Sequence, residues 1–166
     1  MGQHHREMLG EVYDQFGPEL YRYLSVLMGN PERAEDVMQE VFLRLVRVAR
    51  KEPVAVQSRA YVFRLARNEA YRALRKRRRE MTTCNCHLLE TCDVRQGSEI
   101  ERMTLEEALL KLPETQREAI HLKVYMDMTF AEIGQLTNVP LDTAASRYRY
   151  ALEKLRRVLS DVEDHP

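Results

Sequence analysis

Four residues able to bind a soft metal fall close together: Cys84, Cys86, His87 and Cys92. Three thiolates and an imidazole are enough for a tetrahedral zinc site, and two thiols are enough for a disulfide. The C-x-C-H-x4-C pattern is not the C-x2-C spacing of structural zinc modules, and neighbouring Cys86 and His87 strain a shared tetrahedron. Free thiols in a linker are therefore the first reading, with zinc or redox sensing the second and no cofactor expected. The second chemistry is cationic. Between Arg59 and Arg79 the only acid is Glu69, and the segment ends in Arg75-Lys76-Arg77-Arg78-Arg79. A helix dipole favours some positive charge at its C-terminus, but five consecutive cations repel one another and fit a polyanion partner better. Tyr61, Phe63 and Tyr71 interleave with these arginines; aromatic faces can stack unpaired bases, although at helical spacing at least two of the rings belong to a core.

A third set sits near the C-terminus. Thr129-Phe130-Ala131-Glu132 is a capping box that starts a helix running to about Thr137. Asn138-Val139-Pro140 breaks it, and Asp142 or Thr143 caps a second helix. Ala144, Tyr148, Ala151, Leu152, Leu155 and Leu159 mark that helix's buried face. Thr143, Ser146, Arg147, Arg149, Arg156 and Arg157 are its candidate DNA contacts. Gly134 is placed where backbones approach closely. Short helix, tight turn and long basic helix make a helix-turn-helix, whose second helix enters a major groove.

The elements that position these groups are all helical. Residues 9 to 28 repeat apolar positions at helical spacing, with Gly17-Pro18 expected to bend or restart the helix. Asn30 caps and Pro31 opens the next helix, to about Arg50, which buries Ala34, Val37, Met38, Val41, Phe42 and Leu45. Its other face shows Asp36, Gln39, Glu40, Leu43 and Arg44. Residues 51 to 57 read as a loop, and Ser58 caps the basic helix. Residues 82 to 102 lose periodicity and read as a linker. A short helix from Thr104 to Leu112-Pro113 and another from Glu114 to about Tyr125, burying Ala119, Ile120, Leu122 and Val124, lead to the helix-turn-helix. The expected architecture is all-α: two small domains, residues 1–81 and 103–166, joined by the 82–102 linker.

Formal net charge is zero, yet the charge is segregated, with acidic stretches around Glu32–Glu40 and Glu99–Glu118 beside the basic helix. Such asymmetry points to one face for nucleic acid and another for a different partner. No window approaches the ~18 apolar residues of a membrane span. No apolar run follows the first charges to make a signal peptide, so a cytoplasmic protein is expected. An enzyme is not expected: there is no phosphate-cradling Gly-rich loop, Ser-His-Asp order or carboxylate pair in a plausible cleft.

Three stretches resemble one family. Asp36-Val37-Met38-Gln39-Glu40-Val41-Phe42-Leu43-Arg44 is similar to the Asp-x-x-Gln-Glu-x-Phe-x-Arg block of bacterial extracytoplasmic-function (ECF) sigma factors. Residues 60 to 68, Ala-Tyr-Val-Phe-Arg-Leu-Ala-Arg-Asn, resemble their promoter-melting helix, and Leu112 to Glu118 with the helix-turn-helix resemble their C-terminal domain. The resemblance implies that Asp36, Gln39, Glu40, Leu43 and Arg44 bind core RNA polymerase. It implies that Arg59, Tyr61, Arg64, Arg67, Asn68, Arg75 and Lys76 serve the −10 element, and that the second helix of the helix-turn-helix reads −35. An anti-sigma factor is a further partner of this class. Ala144-Ala145 stand where the family often has Val-Lys, so −35 affinity is expected to be modest. The competing expectation is a stand-alone helix-turn-helix regulator; the Leu43-bearing face argues for the polymerase subunit.

Overall fold

A computed structural model describes residues 2–83 and 105–163. Every regular element among them is helical: α1 (Gly2–Met28), α2 (Pro31–Ala49), α3 (Pro53–Val56), α4 (Arg59–Thr83), α5 (Leu105–Leu110), α6 (Glu114–Ile120), a π-helix (His121–Tyr125), α7 (Phe130–Thr137) and α8 (Leu141–Glu163).

The first half is a helical bundle in which α1, α2 and α4 pack on one another. Gly29, at φ +63°, reverses the chain after α1, and the Asn30 side chain accepts from Arg33 N at 3.0 Å with Pro31 in the first turn. Ala34, Val37, Val41 and Leu45 of α2 are buried as their spacing requires, while Met38 and Phe42 are half-buried at the edge. Three expectations are revised here. α1 does not restart at Pro18 but runs through it; the residue before a proline is normally pushed out of the helical region by its own Cβ, and Gly17 has none. The expected loop 51–57 contains one helical turn, α3, whose buried Val56 anchors it to the core. The basic helix also runs on to Thr83, past the expected start of the linker.

In the second half α5, α6 and α7 all pack on α8. A small core of Ala108, Leu112, Ile120, Ala151 and Leu155 holds α5 and α6 to α8. The remaining apolar groups, Leu122, Met126, Ile133, Leu136 and Ala144, are continuous with the core of the first half. The two halves therefore share apolar packing, α6 meeting α1 and α7 meeting α4.

The helix expected from Glu114 to Tyr125 changes pitch at His121. Met126 N donates to His121 O at 3.2 Å, a five-residue closure. The wider turn keeps His121, Leu122 and Met126 inside and turns Val124 outward to 57% exposure, against the expectation that it is buried. The His121 ring stacks on Tyr125 at 5.3 Å and tilts against Tyr23 at 5.9 Å, and its Nδ1 is buried without a hydrogen-bond partner.

Two stability tests follow from this packing. A Cβ on Gly134 would stand 2.7 Å from Val139 O, in the turn itself; Gly134→Ala is expected to destabilise by about 1–3 kcal/mol, read as a lower thermal midpoint. For His121, burial, with a smaller push from Arg22 and opposed by Glu19, lowers the imidazole to about 4. The unfolded chain then takes the proton first, so its contribution to stability is complete above pH ~6.5 and is lost as pH falls from there towards 4. Over that window wild type should lose about 2–3 kcal/mol more than His121→Phe, measured by denaturant unfolding; parallel pH profiles would contradict the assignment.

Candidate nucleic-acid interface

The helix-turn-helix forms as its local chemistry dictates. Thr129 Oγ1 accepts from Glu132 N at 3.2 Å, while Thr129 N donates to the Glu132 carboxylate at 2.7 Å. These reciprocal bonds satisfy the free amides at the start of α7. Asn138 ends α7 in the left-handed region at φ 56°, ψ 49°, and Val139 N donates to Gly134 O at 2.9 Å. Such a conformation is tolerated by Asn far better than by branched residues. α8 starts at Leu141, one residue before the nearer of its two expected caps. Buried Ala144, Ala151 and Leu155 and the Phe130–Tyr148 ring contact at 5.6 Å seat α8 against its neighbours. Leu152, expected in that face, is instead 40% exposed. Arg149, Arg156 and Arg157 are exposed, and Thr143, Ser146 and Arg147 are half-exposed. One side of α8 thus offers hydroxyls and guanidinium groups to a groove.

α4 buries Val62, Phe63, Ala66, Ala70 and Leu74 and turns Arg59, Arg64, Asn68, Arg72, Arg75 and Lys76 outward. Of its interleaved rings Phe63 is core, packed on Tyr23 at 5.7 Å, while Tyr61 and Tyr71 are half-buried against the core. Several of its cations already have acidic partners. Arg59 pairs with Glu19, Lys76 with Glu80 at 3.8 Å, and Arg78 with Glu114 at 2.6 Å. Exposed pairs of this kind are worth little and leave the cations available to a stronger anion.

On α2, Asp36, Gln39, Glu40 and Leu43 form an exposed face, Leu43 at 52%. Arg44 does not share it freely: its Nη1 lies 2.9 Å from the nearly buried carboxylate of Glu69 on α4. Arg44 therefore ties α2 to α4, a role that a surface pattern within one helix cannot reveal. Asp36 and Glu40 border a groove shared with Glu69, Arg72 and Lys76.

The residue that sequence reasoning missed is Glu118. Its fully buried carboxylate accepts from Tyr23 Oη at 2.7 Å, from Tyr71 Oη at 2.7 Å and from Arg67 Nε at 2.9 Å, with Arg67 Nη2 at 3.4 Å. Burial, reinforced by this carboxylate, raises both tyrosine hydroxyls well above their usual range. Burial alone would lower Arg67, but Glu118 outweighs it and holds the guanidinium more firmly charged than usual. The available signal was an acid directly preceding Ala119, Ile120 and Leu122 on an apolar helix face. Beside it Arg117 donates to Leu27 O at 3.1 Å and to Leu110 O at 3.2 Å. Cys84, Cys86, His87 and Cys92 lie outside the described residues, among which no His, Cys, Asp and Glu cluster suited to a metal occurs.

Comparison with known proteins agrees with this layout. The Sigma-70 region 2 family matches residues 12–80 and the Sigma-70 region 4 family matches residues 108–157. The ECF RNA polymerase sigma factor SigW of Bacillus subtilis is 23% identical over 95% of this chain and 91% of its own length. The ECF sigma factor RpoE of Cereibacter sphaeroides is 28% identical over 90% and 85%. In three dimensions the chain is similar to the sigma factor RpoE of Bartonella quintana, solved in complex with the anti-sigma factor NepR, with TM-score 0.70 and 25% identity over 93% of this chain and 96% of that one. Both family segments, in order and over most of the chain, together with relatives matched over most of their own length, place the protein in the Sigma-70 family as an ECF RNA polymerase sigma factor.

Proposed function

We propose that this sigma factor divides its work among three surfaces. Residues 1–81 belong to the polymerase-binding and −10 domain, whose helix α4 continues to Thr83; the segment from there to residue 102 is the linker, and residues 103–166 form the −35 domain. The observation that carries the reading is the exposed Asp36, Gln39, Glu40 and Leu43 face on α2, set opposite a fully buried stripe in the same chain as a helix-turn-helix. A regulator that bound only DNA would have no use for that face. Arg44 joins it at the edge while holding Glu69.

Arg59, Tyr61, Arg64, Arg67, Asn68, Arg75 and Lys76 on α4 are assigned to the −10 element. Unstacking costs a few kcal/mol per base, which stacking and a dry pocket offset. Thr143, Ser146, Arg147 and Arg149 are assigned to −35 bases and backbone, with Arg156 and Arg157 nearer the phosphates. The chain is read as a binding protein working in the cytoplasm, with no catalytic residue and no cofactor of its own. No helix among the described residues is long and apolar enough to cross a membrane. The Bartonella quintana relative's complex with NepR supports an anti-sigma factor as a further partner.

Transcription of random promoter templates by purified core polymerase, with and without the protein, tests the whole assignment; templates bound by the protein alone but never transcribed would instead favour a stand-alone regulator. For the α2 face, Asp36→Ala/Glu40→Ala should weaken co-purification with core polymerase by about 2–5 kcal/mol. Wild-type affinity in that variant would move the contact elsewhere. On α8, Arg147→Ala or Arg149→Ala should cost about 1–3 kcal/mol of base discrimination, or shallow the salt slope by about 1 if the contact is to phosphate. Unchanged promoter choice and unchanged salt dependence together would turn this helix away from DNA.

A further inference from the structure

The two halves meet at Arg67, and Arg67 is one of the groups assigned above to promoter DNA. Its guanidinium is held by Glu118 of the opposite half at 2.9 and 3.4 Å. A carboxylate offers a guanidinium the same pair of acceptor oxygens that a phosphate offers, and a guanine edge presents a similar pair. Arg67 cannot serve both at once. Further along α4, Arg59 and Arg64 stay exposed but border a cleft of about 280 Å³ whose far wall includes Met128, Gln135 and Leu136 of the C-terminal half.

We infer that Glu118 is a built-in competitor for promoter DNA: in the free chain it occupies Arg67 and latches the −35 domain over the −10 helix. The inference rests on the assignment of Arg67 to DNA. Four polar groups, Tyr23, Arg67, Tyr71 and Glu118, satisfy one another in the closed form, and all can rehydrate when it opens. A buried ion pair gives back much of its attraction as desolvation, so the latch sets a defined closed geometry without making it permanent. Exposed Arg64, Asn68, Arg72 and Arg75 stay accessible, so closure weakens DNA binding by α4 and does not abolish it.

The test uses the full chain, a mixed-sequence single-stranded oligonucleotide followed by fluorescence anisotropy, and small-angle scattering for overall size. Glu118→Gln should expand the free protein and tighten oligonucleotide binding by about 3- to 10-fold, the gain expected when a binding-competent state of low population becomes dominant. Adding Arg67→Ala should remove that gain. Glu106→Gln, the same charge change at an exposed position on α5, should give none. An unchanged size and affinity in a folded Glu118→Gln protein overturns the latch. So does a gain that survives Arg67→Ala, or an equal gain in Glu106→Gln. If Glu118→Gln does not fold, Tyr71→Phe, which deletes one hydroxyl from the half-buried side, is read in the same way with a smaller expected gain. Scattering and oligonucleotide binding do not involve polymerase. A chain that opens on Glu118→Gln yet never supports transcription would keep the latch and reject the sigma assignment, whereas active transcription with an inert Glu118→Gln would do the reverse.

Discussion

A buried carboxylate shared by two helical units governs how this chain is put together. Glu118 stands with no exposed side-chain surface where α6 meets α1 and α4, and its oxygens take hydrogen bonds from two tyrosines and an arginine. An unpartnered charge in that position would be prohibitive, so Tyr23, Arg67 and Tyr71 must be present together. The neighbouring Arg117 adds a second constraint by reaching Leu27 O, one of the last carbonyls of α1, which has no partner within its own helix. Attraction between the halves comes from apolar groups such as Leu122, Met126 and Leu136. The polar groups favour this arrangement, because a shift that parted Glu118 from its donors would leave a buried charge unsatisfied.

Elements governed by local rules were legible in the sequence. Asn30-Pro31, the Thr129–Glu132 capping box and the αL residue Asn138 all act where their residue types indicate. Features decided by partners far along the chain were not. Arg44 sits in a block of polar residues on α2, and only the packing of α4 shows that Glu69 claims it. Glu118 reads as one more acid in an acidic stretch, since the residues that satisfy it lie on α1 and α4. The helix path past Pro18 depends on a glycine before the proline, a detail that a simple breaker rule overrides. Gly134 was correctly marked as a close approach: a Cβ there would meet the carbonyl of Val139 in the turn and the backbone of Leu141, where α8 begins.

The π-helix at His121–Tyr125 shows why periodicity failed just after Glu118. A strict 3.6-residue repeat carried on from Ile120 places Val124 on the buried side, and the extra residue in the turn moves it out. What the wider turn retains inside is Leu122 and Met126, which reach the core of the first half, and His121, which lies against Tyr23. One helical segment thus serves two cores: Ile120 faces the α8 side, and Leu122, two residues and about 200° further round, faces the N-terminal bundle.

Zero net charge is reconciled with DNA binding by where the acids go. Arg59, Arg67 and Arg78 of α4 are paired with Glu19, Glu118 and Glu114. Glu114 and Glu118 both belong to α6, one helical turn apart. Separating the halves withdraws both acids at once and leaves Arg67 and Arg78 unneutralised on α4. The field of that helix thus depends on the position of the other half, whereas Arg149, Arg156 and Arg157 on α8 are exposed in the closed form. Counterion release makes affinity steeply dependent on how many cations meet phosphates. Of the two pairs the buried one matters more: exposed Arg78 is already available to a stronger anion, so the contact between the halves sets the charge of α4 chiefly through Arg67 and Glu118.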